Sequence, residues 1–556
     1  MDQLRLLLAV VLSALVFLLW QLFFVGRQAD QEPRRKSGPA PAKQEQPTSG
    51  VPHAEEQKSK PEEGAPFDAT GDAQPEKIAR LITVSTPLYR VQISENGAVF
   101  SSFVLQKYRE SVEKESPLKE LLPPELPGGG LQVGLARKSL PGLDGAVFST
   151  DFKGEILEIK DRPQKLSFFW KSDQDIVVEK TFTFAPETYL IGMEVSLKNG
   201  SNQSIQDQLV LSLLGAKPEN SRAYGFEGPS ALIGNNLEQI KIKKIEDQNT
   251  YSGQVKWIAL QDRYFMTSII PEKIEEASLR LLLKPDNLVE AQYVPPEMVI
   301  QPGTQSKYAY VLFWGPKSMK LLNQLGHDLG KAINFGMFDF IAKPCVWIMN
   351  FLYGIIPNYG VAIIILTLLV KILLWPLGTK SYKSMNEMKK LQPLMSEIRE
   401  KNKNDKKRMN EEVMALYRTY KINPLGGCLP MIVQIPVFFA LYRMLYEAIE
   451  LRHAPFFLWI KDLSAPDRLF RFDFAIPFMQ PPYGIPVLTI IMGGTMLLQQ
   501  KMSPPMGDPT QAKMMMLMPL IFTVIFINFS SGLVLYWLVN NILSISHQYY
   551  ISKKLA

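Results

Sequence analysis

Apolar residues are spread unevenly along the chain, and their spacing changes character from region to region. Residues 6–26 form a nearly unbroken apolar run, and about 20 such residues suffice to cross a bilayer. The run ends on bulky residues, Leu22 to Val25, with no small-residue cleavage site. Residues 1–26 are therefore expected to be an uncleaved transmembrane anchor, with a cleaved leader as the alternative. Residues 27–78 are rich in Pro, Gln, Glu, Lys, Ser and Gly. They carry too little apolar surface to order themselves and read as a disordered linker.

Across residues 79–317 the period falls to two. Ile191, Met193, Val195 and Leu197 alternate with polar neighbours, and Val178, Lys180, Phe182 and Phe184 share one face. Residues 308–314 read as a buried strand. Turn signals recur at Asn96-Gly97, at Gly128 to Gly130, at Asn199-Gly200 and at Pro302-Gly303. Short alternating runs with frequent turns predict an all-β sandwich.

From residue 318 the pattern turns helical. Leu322, Leu325, Leu329 and Ile333 make one stripe opposite Asn323, Asp328 and Lys331. The spacing predicts an amphipathic helix over 318–356, lying in the membrane interface or capping the β domain. Apolar runs then predict spans at 357–378, 423–446, 485–500, 514–529 and 532–550. The last two separate at Asn528-Phe-Ser-Ser-Gly532. The 485–499 run reaches only about 22 Å at 1.5 Å per residue, against a hydrocarbon core of about 30 Å. It is read as a short span, with a re-entrant segment as the alternative. Between the first two of these spans, residues 379–422 carry two heptad-like seams. One is Met385, Met388, Leu391, Met395 and Ile398; the other is Met409, Val413, Leu416 and Tyr420. They predict a two-helix hairpin, with Pro393 a point of kinking in its first helix.

Charge then sets orientation. The net charge of +7 matters less than its location. Residues 380–421 hold 12 Lys/Arg against 6 Asp/Glu, and residues 447–482 hold 4 against 5. By the positive-inside rule the hairpin is cytoplasmic and the 447–484 loop external. Both termini are then cytoplasmic and the β domain lies outside. The basic hairpin suits an anchor of topology or a docking site for a polyanion such as ribosomal RNA, and both readings stay open. Of the two cysteines, Cys345 and Cys428, neither belongs to a C-x-x-C pair, so neither disulfide nor zinc chemistry is indicated. There is no phosphate-binding G-x-x-x-x-G-K-[ST], no H-E-x-x-H and no G-x-S-x-G, and the four histidines are scattered. No covalent chemistry, metal or cofactor is indicated.

The feature that stands against this background is Lys371, inside the 361–377 run, with Thr367 one turn before it. A cation at such a depth costs about 2.5–3.5 kcal/mol on insertion scales and usually faces a bundle interior or a wet cavity. The alternative is a side chain snorkelling to the nearby interface.

Specific motifs follow. They are Lys421-Ile-Asn-Pro-Leu-Gly-Gly-Cys-Leu-Pro430, Gln434-Ile-Pro436, Phe457-Leu-Trp-Ile-Lys-Asp-Leu-Ser464, Gln500-Lys-Met-Ser-Pro504 and Ser531-Gly-Leu-Val-Leu-Tyr-Trp537. On these motifs the chain resembles the YidC/Oxa/Alb family of membrane protein insertases over residues 320–550. Its layout is similar to the Gram-negative form. The resemblance implies a mixed fold: an N-terminal anchor, a periplasmic β-supersandwich, and a five-helix transmembrane bundle with a cytoplasmic helical hairpin. It implies an inner-membrane insertase and chaperone, not an enzyme, that acts through a positively charged hydrophilic groove. Lys371 would supply the charge, and Thr367, Gln434, Tyr536, Trp537, Asn540 and Asn541 would line the groove. Gln434, Asn540 and Asn541 could instead be interhelical hydrogen-bond glue. The family's usual residue at the charged position is arginine. A lysine keeps the charge but loses the planar fork, and it can lose its proton if dehydrated. The implied partners are nascent membrane proteins, the Sec translocon, the ribosome and targeting receptor at the hairpin, and membrane lipids, with the protein itself a monomer. The alternatives are a secondary transporter coupled through Lys371, though no internal repeat is visible, and a carbohydrate-binding role for the β domain.

Overall fold

The computed structural model describes residues 79–555 except 124, 125, 127, 219–224, 404, 421, 423–428 and 504–508. The expected anchor and linker, residues 1–78, lie outside the described residues, as do Cys428 and Pro504.

Alternation along the chain becomes two faces in space. In the strand Ile176–Phe184 every even-numbered residue is buried and every odd-numbered one only partly so. A five-stranded sheet runs in the order Leu118–Glu120, Val99–Arg109, Tyr89–Ser94, Leu81–Ser85, Ile156–Glu158. Its last pair is parallel and the others antiparallel. A 12-stranded sheet faces it. Aromatic rings fill the space between the layers: Phe100 lies 5.2 Å from both Phe182 and Trp314, and Phe103 lies 5.2 Å from Trp314. The strand Thr250–Gln261 serves two neighbourhoods. Its first half pairs with Glu276–Lys284, and its second half with Gly228–Ile233 and Phe265–Pro271. Gly253 sits at the change with φ +146, where a Cβ would meet Ile233 Cγ2 at 2.7 Å. Only glycine fits that conformation and that approach.

The expected helix over 318–356 is broken. Helix α1 (Met319–Leu325) stops at Gly326, and Gly326, His327 and Asp328 take φ of 76°, 52° and 57°. A run of left-handed residues cannot continue an α-helix. Short 3-10 turns follow, and then α2 (Asp339–Ile355). α2 buries Ala342, Cys345, Val346 and Met349 and exposes Phe340, Trp347, Phe351 and Ile355.

α3 (Tyr359–Leu373) starts where the Asn358 side chain accepts from Val361 N at 3.1 Å. The expected 357–378 span then bends by 65° into α4 (Trp375–Lys390). Pro376 explains the break: it lacks an N–H and is suited to a first helical turn. The expected two-helix hairpin contains further helices, α5 (Gln392–Lys401) and α6 (Lys406–Thr419). Pro393 lies in the first turn of α5 and marks a full break from α4. Met388, Leu391 and Met395 are buried as the seam requires. Tyr420 is not: it is 53% exposed beyond the end of α6, and Tyr417 packs in its place.

α7 (Leu429–Glu447), α8 (Val487–Met502), α9 (Pro509–Phe526) and α10 (Ser531–Leu555) complete the helical half. The 527–530 break overlaps the expected Asn528–Gly532 signal. α8 and α9 approach closely at Gly493, where a Cβ would lie 2.2 Å from Thr523 Oγ1. α10 is the spine, packing on α3, α4, α7 and α8. Among the described residues no single helix is long and apolar enough to cross a membrane, whereas the bent pair α3–α4 passes that test together.

Candidate functional site

Lys371 lies in the last turn of α3. Its Nζ donates to Ser544 Oγ at 2.6 Å and to Asn540 Oδ1 at 3.3 Å, both on α10. Ser544 Oγ in turn donates to Asn540 O at 2.7 Å. The side chain crosses to the neighbouring helix, and both partners are neutral. Among the described residues no carboxylate pairs with it.

Asn540 belongs to a polar stripe. Tyr536, Asn540 and Ser544 recur every four residues and His547 follows, which places all four on one side of α10. Together they meet three different helices. Gln434 Nε2 on α7 donates to the Tyr536 hydroxyl at 3.0 Å. Lys371 reaches Asn540 and Ser544 from α3. His547 Nε2 hydrogen-bonds with Thr379 Oγ1 on α4 at 3.0 Å, and its ring stacks on Trp375 at 3.7 Å.

The sequence-predicted residues therefore separate into groups. Lys371 meets Asn540, and Gln434 meets Tyr536. Thr367 is buried and donates to Ile363 O of its own helix at 2.6 Å. Asn541 is also buried and turns to α8, where its Nδ2 donates to Thr495 Oγ1 at 3.2 Å. Trp537 sits in an aromatic cluster, 4.6 Å from Phe438 and 5.1 Å from Phe526. Ser544 and His547 were not singled out from sequence. The signal was available as polar residues at four- and three-residue spacing in an apolar helix.

Beside this stripe the surface is apolar. Leu368, Leu369, Ile372 and Leu373 on α3 are exposed, as are Ile490, Ile491, Leu497 and Leu498 on α8. Met516, Leu517, Met518, Leu520, Ile521, Val524 and Ile525 on α9 are exposed as well. Water-facing proteins rarely show contiguous apolar areas of this kind.

The β domain is fastened to the helical half by cations. Arg263 Nε donates to Tyr446 O at 2.7 Å and its guanidinium lies 3.7 Å from the Tyr446 ring centre. Arg452 donates to Arg109 O and Glu110 O at 2.5 and 3.2 Å. Arg471 pairs with Glu113 at 2.8 Å. Arg263 and Arg452 border an open cavity of about 440 Å³. Nearby, burial pulls the Lys317 ammonium below the ordinary lysine range. Among the described residues no three His, Cys, Asp or Glu side chains are grouped to hold a metal ion.

Comparison with known proteins covers both halves. A family model described as YidC periplasmic domain matches residues 81–348, and one described as 60Kd inner membrane protein matches residues 351–556. A membrane protein insertase YidC from Syntrophus aciditrophicus is 41% identical over 564 positions, covering 100% of both chains. One from Syntrophobacter fumaroxidans is 40% identical over 560 positions, covering 99% of each. Among solved structures, an active YidC insertase with its first transmembrane domain resolved aligns at TM-score 0.38 and 20% identity, covering 85% of this chain and 92% of that one.

Proposed function

Because the chain belongs to the YidC family of membrane protein insertases, we propose that it inserts inner-membrane proteins through a groove charged by Lys371. A nascent hydrophobic segment brings a polar flank that must cross the hydrocarbon. A hydrophilic recess along the α10 stripe shortens that path, and Lys371 attracts acidic or polar groups on the flank. The apolar face of the substrate moves along the exposed surfaces of α3, α8 and α9 and is released into lipid. The membrane potential assists where the flank is acidic. No covalent step is involved.

The observation that supports this reading is the pair of neutral partners on Lys371. A lysine already matched by a carboxylate would have little field left for a passing group. One held by a hydroxyl and an amide oxygen keeps its charge available. In this reading Gln434, Trp537 and Asn540 contact the substrate, while the buried Thr367, Tyr536 and Asn541 support α3, α7 and α10 behind them.

In the same reading the chain is a multi-pass monomer with both termini cytoplasmic. The β domain is periplasmic, and the α4–α6 region faces the ribosome and the targeting receptor. It works alone or beside the Sec translocon. The test is insertion of a small substrate with an acidic flank by Lys371→Ala and Lys371→Arg variants. The arginine variant is expected to insert at the parent rate. The alanine variant is expected to lose about tenfold, corresponding to about 1.4 kcal/mol. Undiminished insertion by the alanine variant removes Lys371 from the mechanism.

A further inference from the structure

We propose that residues 466–486 form an aromatic anchor that seats in the outer leaflet, with the phospholipid surface as its ligand. This rests on the reading that the helical half is embedded in the bilayer. The segment pairs Leu469–Phe472 with Tyr483–Ile485 and leads directly into α8. It thrusts Phe470, Phe474 and Phe478 outward, 69%, 64% and 80% exposed, and Leu458 on the preceding loop is 87% exposed. Phe472 stacks on Phe474 at 5.1 Å.

The backbone points the same way. Leu458, Phe470 and Phe478 hold φ of 57°, 50° and 65°. Bulky residues are rare in that region, and holding them there costs on the order of 1–3 kcal/mol each. Such strain persists only where the surroundings enforce it, and here they do. The Arg468 guanidinium donates to Pro482 O, Asp467 O and Ile527 O, each at 2.8 Å. Asn528 Nδ2 donates to Phe478 O at 2.7 Å, and Asn528 Oδ1 accepts from Gln480 N at 2.8 Å. Asp467 accepts from Trp459 Nε1 at 2.5 Å and from the backbone N of Leu488 in α8. The hairpin is thus bolted to the turn between α9 and α10 and to the start of α8. Its phenylalanines are displayed by a rigid frame.

Continuity identifies what covers them. The exposed apolar surface of α8 and α9 runs up to this hairpin. Ile485 is itself exposed and lies only about 7 Å of chain rise from Ile490. A bilayer covering α8 and α9 meets the hairpin at its interface, where amphipathic and aromatic groups gather. Lys461, three residues beyond Leu458, is exposed and in this placement would meet lipid phosphate. The arrangement also suits the length of α8, whose 16 residues span about 24 Å. An anchor fixed at its external end holds the outer leaflet against a helix shorter than the bilayer core.

The test uses the full chain with Cys345→Ala and Cys428→Ala, carrying the fluorophore NBD on Phe474→Cys, Phe478→Cys or, for reference, Ile521→Cys on α9. Each is reconstituted alone into phosphatidylethanolamine–phosphatidylglycerol vesicles with or without a shallow spin-labelled lipid. The hairpin probes are expected to emit blue-shifted, to lose emission to the spin-labelled lipid and to resist aqueous iodide. If Ile521 is lipid-quenched but both hairpin probes behave as in water, the anchor is overturned, and a protein partner becomes the better occupant. If Ile521 also behaves as in water, the bilayer placement of the helices fails with it.

Discussion

At the scale of single residues, two lysines occupy unusual places for different reasons. Lys371 meets only neutral partners on α10. Lys180 is 2% exposed in the core of the β domain; its Nζ donates to Gly97 O at 2.6 Å and lies 4.7 Å from the Phe148 ring centre. Burial pulls the Lys180 ammonium down to about 7 from an ordinary 10.5. Below the lower value, folded and unfolded chains both carry the proton and the burial cost is fully present. Between the two values the unfolded chain binds more protons, so stability rises with pH, by at most about 1.4 kcal/mol per unit. The melting temperature of the β domain, followed by near-ultraviolet circular dichroism, should therefore gain between pH 7 and 9 a contribution that Lys180→Met lacks. Identical pH profiles for the two proteins would refute it. The position of Lys180 was legible, because alternation puts it with Val178, Phe182 and Phe184. Its partner, Gly97, was not: the two are 83 residues apart and meet only across the two sheets.

At the scale of elements, apolar periodicity found the helices and missed their breaks. A hydropathy run does not register a bend, so the 357–378 stretch concealed the 65° turn before Pro376. Polar groups join the apolar seam in holding the loop between α5 and α6. Asn402 Nδ2 donates to Ile398 O at 3.0 Å and to Glu412 Oε2 at 2.9 Å, while Asp405 caps α6 by accepting from Arg408 N at 3.0 Å. Asn402→Ala should destabilise this corner by about 1–2 kcal/mol, since it takes a donor from the Glu412 carboxylate and leaves the half-buried Ile398 carbonyl with the backbone N–H alone. Hydrogen exchange should report it as faster opening of α5 and α6 with α10 unchanged. Protection equal to the parent's would mean that the apolar seam alone holds the corner.

At the scale of the whole molecule, a continuous buried cluster runs from the β sheets into the helices, and Arg263, Arg452 and Arg471 tie the β domain to the 446–471 region. Arg263→Ala combined with Arg452→Ala should loosen that joint. Spin labels on exposed Val299→Cys and Ile491→Cys should give a narrow distance distribution in the parent and a broadened one in the variant. An unchanged width would place the fastening in the apolar cluster. The sequence by itself determined the β-then-helical order, the break near Asn528, the asymmetry of loop charge and the family resemblance, since each is written in neighbouring residues. The tertiary structure alone decided that Lys371 meets Asn540 and Ser544, that Asn541 turns away to α8, and that Arg263 reaches Tyr446. A local period tells which face of an element is apolar. It cannot tell which distant element packs there, because that follows from the joint fit of every helix and sheet at once.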